Sequence, residues 1–163
     1  MKKILFILLA ILPAYFAASL YLMDKEYFIC PVSYVRDIVI RNDNRGDGFF
    51  AAQRGNGTRL HNGIDLLAAV GVPVFAGRSG FVIAATQNQG MGKYIIIRHS
   101  AGATSIYGHL SEVYVAKGNF VRQGWLIGAV GKTGNANYRD MLAHLHFEVR
   151  KGGVPVDPFD YLR

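Results

Sequence analysis

Phe81-Val82-Ile83-Ala84-Ala85-Thr86 and Lys93-Tyr94-Ile95-Ile96-Ile97-Arg98-His99 are two short apolar runs joined by Gln87-Asn88-Gln89-Gly90-Met91-Gly92. Such runs, separated by a polar, glycine-containing link, predict an antiparallel hairpin. A third run, Thr104 to His109, follows the turn Ser100-Ala101-Gly102-Ala103, so three antiparallel strands come in succession. From about Pro31 onward no long segment has a 3.6-residue apolar period, and glycines interrupt the short runs throughout. The expected fold is all-β, an open antiparallel sheet with β-hairpins.

Working outward, the segments Gly71 to Ile83 and Gly118 to Ile127 share a cadence: a valine-containing run, a glycine turn and a second apolar run. They point to a weak duplication of β-hairpins, too degenerate for a repeat array. Residues 24–48 are richer in Asp, Asn and Arg and read as a lead-in strand or loop ahead of a domain over residues 49–163. With 163 residues the chain has room for one domain with a real core and is too short for two.

Residues 1–23 are read apart from the fold. Lys2 and Lys3 precede the apolar run Ile4 to Leu12, then come Pro13 and the small residues Ala17, Ala18 and Ser19. This is the layout of a secretory signal peptide. The apolar stretch from Ile4 to Met23, at roughly 20 residues, is also long enough for an uncleaved N-terminal membrane anchor. Either reading places the rest of the chain outside the cytoplasm. The single cysteine, Cys30, excludes an intramolecular disulfide, and Ile29 stands where lipidation signals carry a small residue. The formal charge of +7 falls to +5 without Lys2 and Lys3, a balance suited to the anionic polymers of a cell wall. Because the basic residues are scattered, the sequence argues against a nucleic-acid module.

The five histidines carry the functional signal. His61-Asn62-Gly63-Ile64-Asp65 sets an imidazole and a carboxylate at equal strand parity, able to reach one ion from extended chain. Ala143-His144-Leu145-His146-Phe147-Glu148-Val149 alternates strictly, with an apolar face of Ala143, Leu145, Phe147 and Val149 and a polar face of His144, His146 and Glu148. Two imidazoles on one strand face are natural zinc ligands or an acid–base pair. His109 ends a strand in Thr104 to Leu110. Together the clusters supply what a catalytic zinc site needs: three protein ligands, a place for water and groups to move protons. Spacing alone leaves open which of His144 and His146 is a ligand.

In this order, HNGID (61–65), YGHLS (107–111) and HLHFEV (144–149) closely resemble the lysostaphin/LytM-type zinc endopeptidases of peptidoglycan. The similarity continues in GVPVFAGRSGFVI (71–83) and GNFVRQGWLIGAVGKTG (118–134), and covers residues 49–162. The resemblance implies a LytM-like domain of barrel-sandwich hybrid type, one zinc ion (Zn2+) per chain, peptidoglycan peptides as substrate and an extracytoplasmic place in the cell envelope. Carried over motif by motif, it implies that His61, Asp65 and His146 hold the metal, while His144 and His109 do acid–base and transition-state work. The implied reaction is hydrolysis of a crosslink or stem peptide bond by metal-activated water, with His144 as general base and His109 donating to the tetrahedral intermediate, or the reverse.

The remaining positions carry two readings each or none. His99 matches no functional position. Tyr107 shares the strand parity of His109 and reads as cleft lining or core; Glu148 reads as an orienting group for a ligand or as a solvent-facing carboxylate. The approach Asn135 to Ala143 departs from the short, glycine-containing approach common in the family, which bears on substrate preference. A rival reading is a non-enzymatic envelope protein of the same fold that binds or activates another wall hydrolase, against which stands the full ligand set. A biotinyl- or lipoyl-type carrier lacks its lysine at a hairpin tip.

Overall fold

The computed structural model describes residue 15 and residues 25–55 and 57–163. The signal or anchor expected over residues 1–23 therefore lies, Tyr15 aside, outside the described residues. From residue 25 onward every described regular element is a strand or a short 3-10 turn.

Two small hairpins come first, Asn42–Asp43 (β1) with Gly46–Asp47 (β2) and Gln53–Arg54 (β3) with Arg59–Leu60 (β4). The body follows with Ile64–Leu67 (β5), Pro73–Phe75 (β6), Gly80–Asn88 (β7), Gly92–Arg98 (β8) and Ala103–Leu110 (β9). It is completed by Glu112–Val113 (β10), Phe120–Val121 (β11), Leu126–Ala129 (β12), His144–Lys151 (β13) and Val154–Val156 (β14). The main sheet runs β11-β7-β8-β9-β13. Along the far edge of β13, β5 pairs with His144 to Phe147 and β14 with Val149 to Lys151. A smaller sheet has the order β10-β12-β6, and all these pairings are antiparallel.

The expected hairpin forms, with Asn88 opposite Gly92 and the turn at Gln89-Gly90-Met91. The shared cadence of residues 71–83 and 118–127 has a structural counterpart. β6 pairs with β12 and β11 with β7, so the two segments interlock. Between them Ala76 N–H donates to Trp125 O and Gly124 N–H to Ala76 O, each at 2.8 Å.

Strand alternation decides what is buried. Leu145, Phe147 and Val149 of β13 join Ile95, Ile97, Tyr107 and Leu110 of the large sheet and Val74 and Ile127 of the small one in a single buried cluster. Each large apolar side chain fully removed from water contributes about 1.5–3 kcal/mol, so this cluster pins the register that turns the other face of β13, with the buried His144, His146 and Glu148, away from the apolar core. The lead-in segment is woven into the same body. Phe28 bridges Leu162 and, with Val32, is buried in the core. Arg41 N–H donates to Asp65 O and Gly48 N–H to Arg41 O, which carries this segment along β5.

Candidate metal and catalytic site

β13 is the axis of the site. Its polar face carries His144, His146 and Glu148, and the antiparallel register sets Asp65 of β5 opposite His146 on one side and Gly108 of β9 on the other. His61 arrives through Asn62-Gly63 just before β5. Gly63 lets the chain pass close to β13: a Cβ there would collide with the Phe147 carbonyl. The glycine of HNGID is thus required by a close approach of backbone to backbone.

His61 Nε2, Asp65 Oδ1 and His146 Nδ1 form a nearly equilateral triangle. The edges are 3.0 Å between the two imidazoles, 3.1 Å from His61 to Asp65 and 2.9 Å from His146 to Asp65. Tetrahedral zinc with bonds of about 2.0–2.1 Å would separate its ligands by roughly 3.3 Å, so a small expansion fits the ion. The chemistry also fits, because each donor's other polar atom is already engaged. His61 Nδ1–H donates to Phe49 O at 2.8 Å, and His146 Nε2–H donates to Glu148 Oε1 at 2.9 Å. Asp65 Oδ2 accepts from Arg41 Nη2 at 2.9 Å and from Arg54 Nη2 at 3.3 Å. These outer partners set the orientation in which three lone pairs converge once His146 gives up its Nδ1 proton.

Electrostatics follow from the burial. Burial disfavours the His146 imidazolium, but hydrogen bonds and charge from Asp65 and Glu148 outweigh it and raise the pKa to about 9. Asp65 is held well below the usual carboxylate range: burial opposes its charge, and His146 and His61 overcome that opposition. Without a metal, His146 is therefore a cation clasped between two carboxylates.

The two remaining cleft histidines are held neutral. His144 is lowered first by burial, and its Nδ1–H donates to Leu142 O at 2.8 Å. His109 is lowered to about 3 by burial and then by the charges of His146 and His144, and its Nδ1–H donates to Thr133 O at 3.0 Å. Because both carbonyl partners only accept, both Nε2 atoms are lone pairs at rest. The rings lie T-shaped, with centroids 5.0 Å apart.

His109 reaches the cleft through a bulge. Between Tyr107 and Leu110 β9 spends one more residue than the facing Ile95 to Lys93 of β8, and His109 takes φ 62°. A left-handed non-glycine residue costs about 1–3 kcal/mol and clusters at functional sites. The same bulge separates the two residues of equal parity. Tyr107 turns into the core, where its hydroxyl accepts from Gly77 N–H, while His109 turns to the cleft.

The open choices close as follows. Glu148 is buried, bound to His146 and to Arg150, so it does not face solvent. His99 lies away from the triangle, with Nδ1 on Ser79 O and Nε2 on Ser105 Oγ. The sequence reading missed Arg41 and Arg54, the guanidiniums on Asp65; in a polar segment a buried arginine looks like a solvated one. The cleft has a volume of about 580 Å³, and its rim includes Asn135, Tyr138 and Met141 of the divergent loop.

Residues 59–158 match peptidase family M23. The chain belongs to that family. The M23 match agrees with the lysostaphin/LytM-type resemblance of its motifs. Over 100 residues it is 44% identical to the DD-carboxypeptidase/endopeptidase Mpg of Neisseria meningitidis, covering 61% of this chain and 22% of that protein. The chain thus spans about a fifth of the length of that curated relative. A zinc-containing peptidase from Vibrio cholerae superposes with a TM-score of 0.67 at 30% identity, over 83% of this chain and 40% of the other. SpoIIQ, in its pore-forming complex with SpoIIIAH, superposes at 0.68 and 28% identity, over 84% of this chain and 91% of that one. M23 peptidases are zinc-dependent, which matches the donor set of the triangle.

Proposed function

We propose that this M23 domain is a zinc-dependent endopeptidase that hydrolyses peptide bonds in bacterial peptidoglycan, within crosslinks or stems, at an extracytoplasmic site in the cell envelope. The observation that carries the reading is the convergence of His61 Nε2, Asp65 Oδ1 and His146 Nδ1 within 2.9–3.1 Å, beside two neutral imidazoles in one cleft. The names of its relatives, a DD-carboxypeptidase/endopeptidase and a zinc-containing peptidase, support the substrate class and the metal. We assign residues 49–163 to the peptidase domain, 24–48 to its lead-in, and 1–23 to an export signal or anchor that would tether it to the membrane.

His61, Asp65 and His146 would hold the zinc, which when bound acts as a Lewis acid that polarises a carbonyl and lowers the pKa of water. The protein's own groups move the protons. His144, neutral and with Nε2 free, takes the proton of the attacking water as general base and returns it to the leaving amine. His109 rests as an acceptor at Nε2, so it orients the attacking water by accepting a hydrogen bond from it. It would donate to the oxyanion only in the exchanged role, in which His109 and not His144 takes the water's proton. With both rings set alike by backbone carbonyls, exchange of the two roles needs no rotation of either.

SpoIIQ, a similar chain found in a pore-forming complex, keeps the assembly reading in view. Here the complete donor set favours catalysis. The experiment is digestion of purified muropeptides of known structure by the zinc-loaded protein, with products identified by mass. New amines and acids at one bond type support the endopeptidase; no cleavage by zinc-loaded protein would overturn it.

A further inference from the structure

Of the five arginines lining the cleft, three are neutralised inside the protein. Arg41 is paired with Asp43 and Asp65, Arg45 makes a two-pronged pair with Asp140, and Arg150 does the same with Glu148. Arg54 and Arg59 are different. Arg54 reaches a carboxylate only through Nη2, at 3.3 Å from Asp65 Oδ2, an oxygen that Arg41 already occupies at 2.9 Å. Arg59 has no hydrogen-bond or ion-pair partner among the described residues. Asp47, the next acidic residue along, spends a carboxylate oxygen on the Phe49 N–H.

The register makes this arrangement costly. β3 and β4 set Arg54 and Arg59 directly opposite each other, where like charges repel. The Arg54 side chain is only 11% exposed, so water screens it poorly. Its Nη1 meets only the backbone carbonyl of Gln53, at 3.3 Å, and a cation held at the triangle would draw further on Asp65 and weaken the one carboxylate contact Arg54 has. Two cross-strand arginines that both line the cleft, short of internal anions, match an anion that arrives from outside. The planar fork of N–H donors on arginine matches a carboxylate or a phosphate in two-pronged fashion, and of the two a peptide substrate carries the carboxylate.

We propose that Arg54 and Arg59 form a carboxylate-binding subsite next to the metal-ligand triangle, so that the preferred substrate is a peptide with a free carboxylate close to the scissile bond. The inference rests on the endopeptidase reading and narrows its substrate. Arg54 touches Oδ2 of the same carboxylate whose Oδ1 is a corner of the triangle. Since an extended chain advances about 3.3–3.6 Å per residue, the bound carboxylate belongs to a residue one or two positions from the cleaved bond. It is either the α-carboxylate of the peptide's C-terminus or a side-chain carboxylate.

The test uses two pairs of labelled peptidoglycan stem peptides. One pair ends in a free acid or an amide; the other carries a side-chain carboxylate or its amide. Binding to the full chain, zinc-free and zinc-loaded, is read by fluorescence anisotropy, and cleavage of the same peptides by mass. In at least one pair the acid should bind about tenfold tighter than its amide, as a charge-assisted hydrogen bond provides, and that pair identifies the source. Arg59→Gln and Arg54→Gln should each bring the acid-to-amide ratio to within about twofold. Arg59 is exposed, so its variant decides the matter even where Arg54→Gln fails to fold. Equal binding of acid and amide in both pairs overturns the subsite, as does a ratio that survives Arg59→Gln. Discrimination in binding without any cleavage would sink the endopeptidase reading and leave the subsite; cleavage without discrimination would do the opposite.

Discussion

His146 Nε2–H donates to Glu148 Oε1 at 2.9 Å, and the other Glu148 oxygen is gripped by Arg150 at 2.6 and 2.8 Å. The carboxylate two residues along the same strand thereby fixes which ring nitrogen of His146 faces the triangle. Glu148→Ala would leave a buried N–H without its acceptor and free the ring to turn. Zinc affinity should fall about 10–100-fold, measured by competition with a chelator, and Glu148→Gln should recover part of the loss. An unaltered competition curve for Glu148→Ala would show that the ring is held by other means.

Zinc affinity should also depend on pH in a defined direction. In the metal-free protein the His146 pKa is raised to about 9, while Asp65 stays ionised well below its usual range. Below pH 9, binding must expel the His146 proton, so affinity should rise by about tenfold per pH unit toward pH 9 and the His146 contribution should level off above it. The sign for stability is opposite. The raised His146 pKa stabilises the metal-free fold fully below its ordinary value of 6.5, and that contribution is lost as the pH climbs through 9. Calorimetric titrations at pH 7 in buffers of differing ionisation enthalpy should count the released proton.

Arg41 supports the site from the lead-in segment. It is 2% exposed and pairs with Asp43 and Asp65. Arg41→Ala would take the guanidinium away from two buried carboxylates, leaving Asp65 with Arg54 and the histidines and Asp43 with two backbone N–H donors, a loss of about 3–5 kcal/mol for a broken buried pair. Since zinc would neutralise Asp65, the loss should be smaller in the loaded protein. Urea unfolding with and without zinc measures both, and a loss under about 1 kcal/mol in the metal-free form would contradict the role given to Arg41.

Gly63→Ala tests whether the site depends on strand approach. The added methyl meets the Phe147 carbonyl, so β5 must shift from β13 and carry His61 and Asp65 away from His146. Zinc content should fall although no ligand has changed, while the CD spectrum stays that of a β-protein.

Much of the architecture was legible because side-chain alternation is a local property. The runs 81–86 and 93–99 became β7 and β8, and the alternation of residues 143–149 separated the buried Leu145 and Phe147 from His144 and His146. What escaped depended on tertiary placement. Tyr107 and His109 share parity, but the bulge with His109 at φ 62° sends them to opposite sides. Arg41 sits in the most polar stretch of the chain, and only the contact with Asp65 shows that it is buried. The tautomers of His109 and His144 rest on the Thr133 and Leu142 carbonyls, and the Thr133 contact joins residues distant in sequence.

The last prediction separates ligand from base on β13. His146 contributes a corner of the triangle, whereas His144 Nε2 stands 3.8 Å from Asp65 Oδ1 and its Nδ1 is tied to Leu142 O. His146→Ala should therefore remove one of three donors and leave the metal content near zero after dialysis. His144→Ala should retain zinc and lose about 10²–10⁴-fold in peptide cleavage, the range for a missing acid–base group. Both substitutions leave Leu145, Phe147 and Val149 in the core, so both variants should fold. Metal content, CD and muropeptide cleavage measured on the same two samples decide the assignment. If His144→Ala lost the zinc and His146→Ala kept it, the ligand and the base would have to be exchanged, and the triangle with His61 and Asp65 would have to close on the neighbouring imidazole instead.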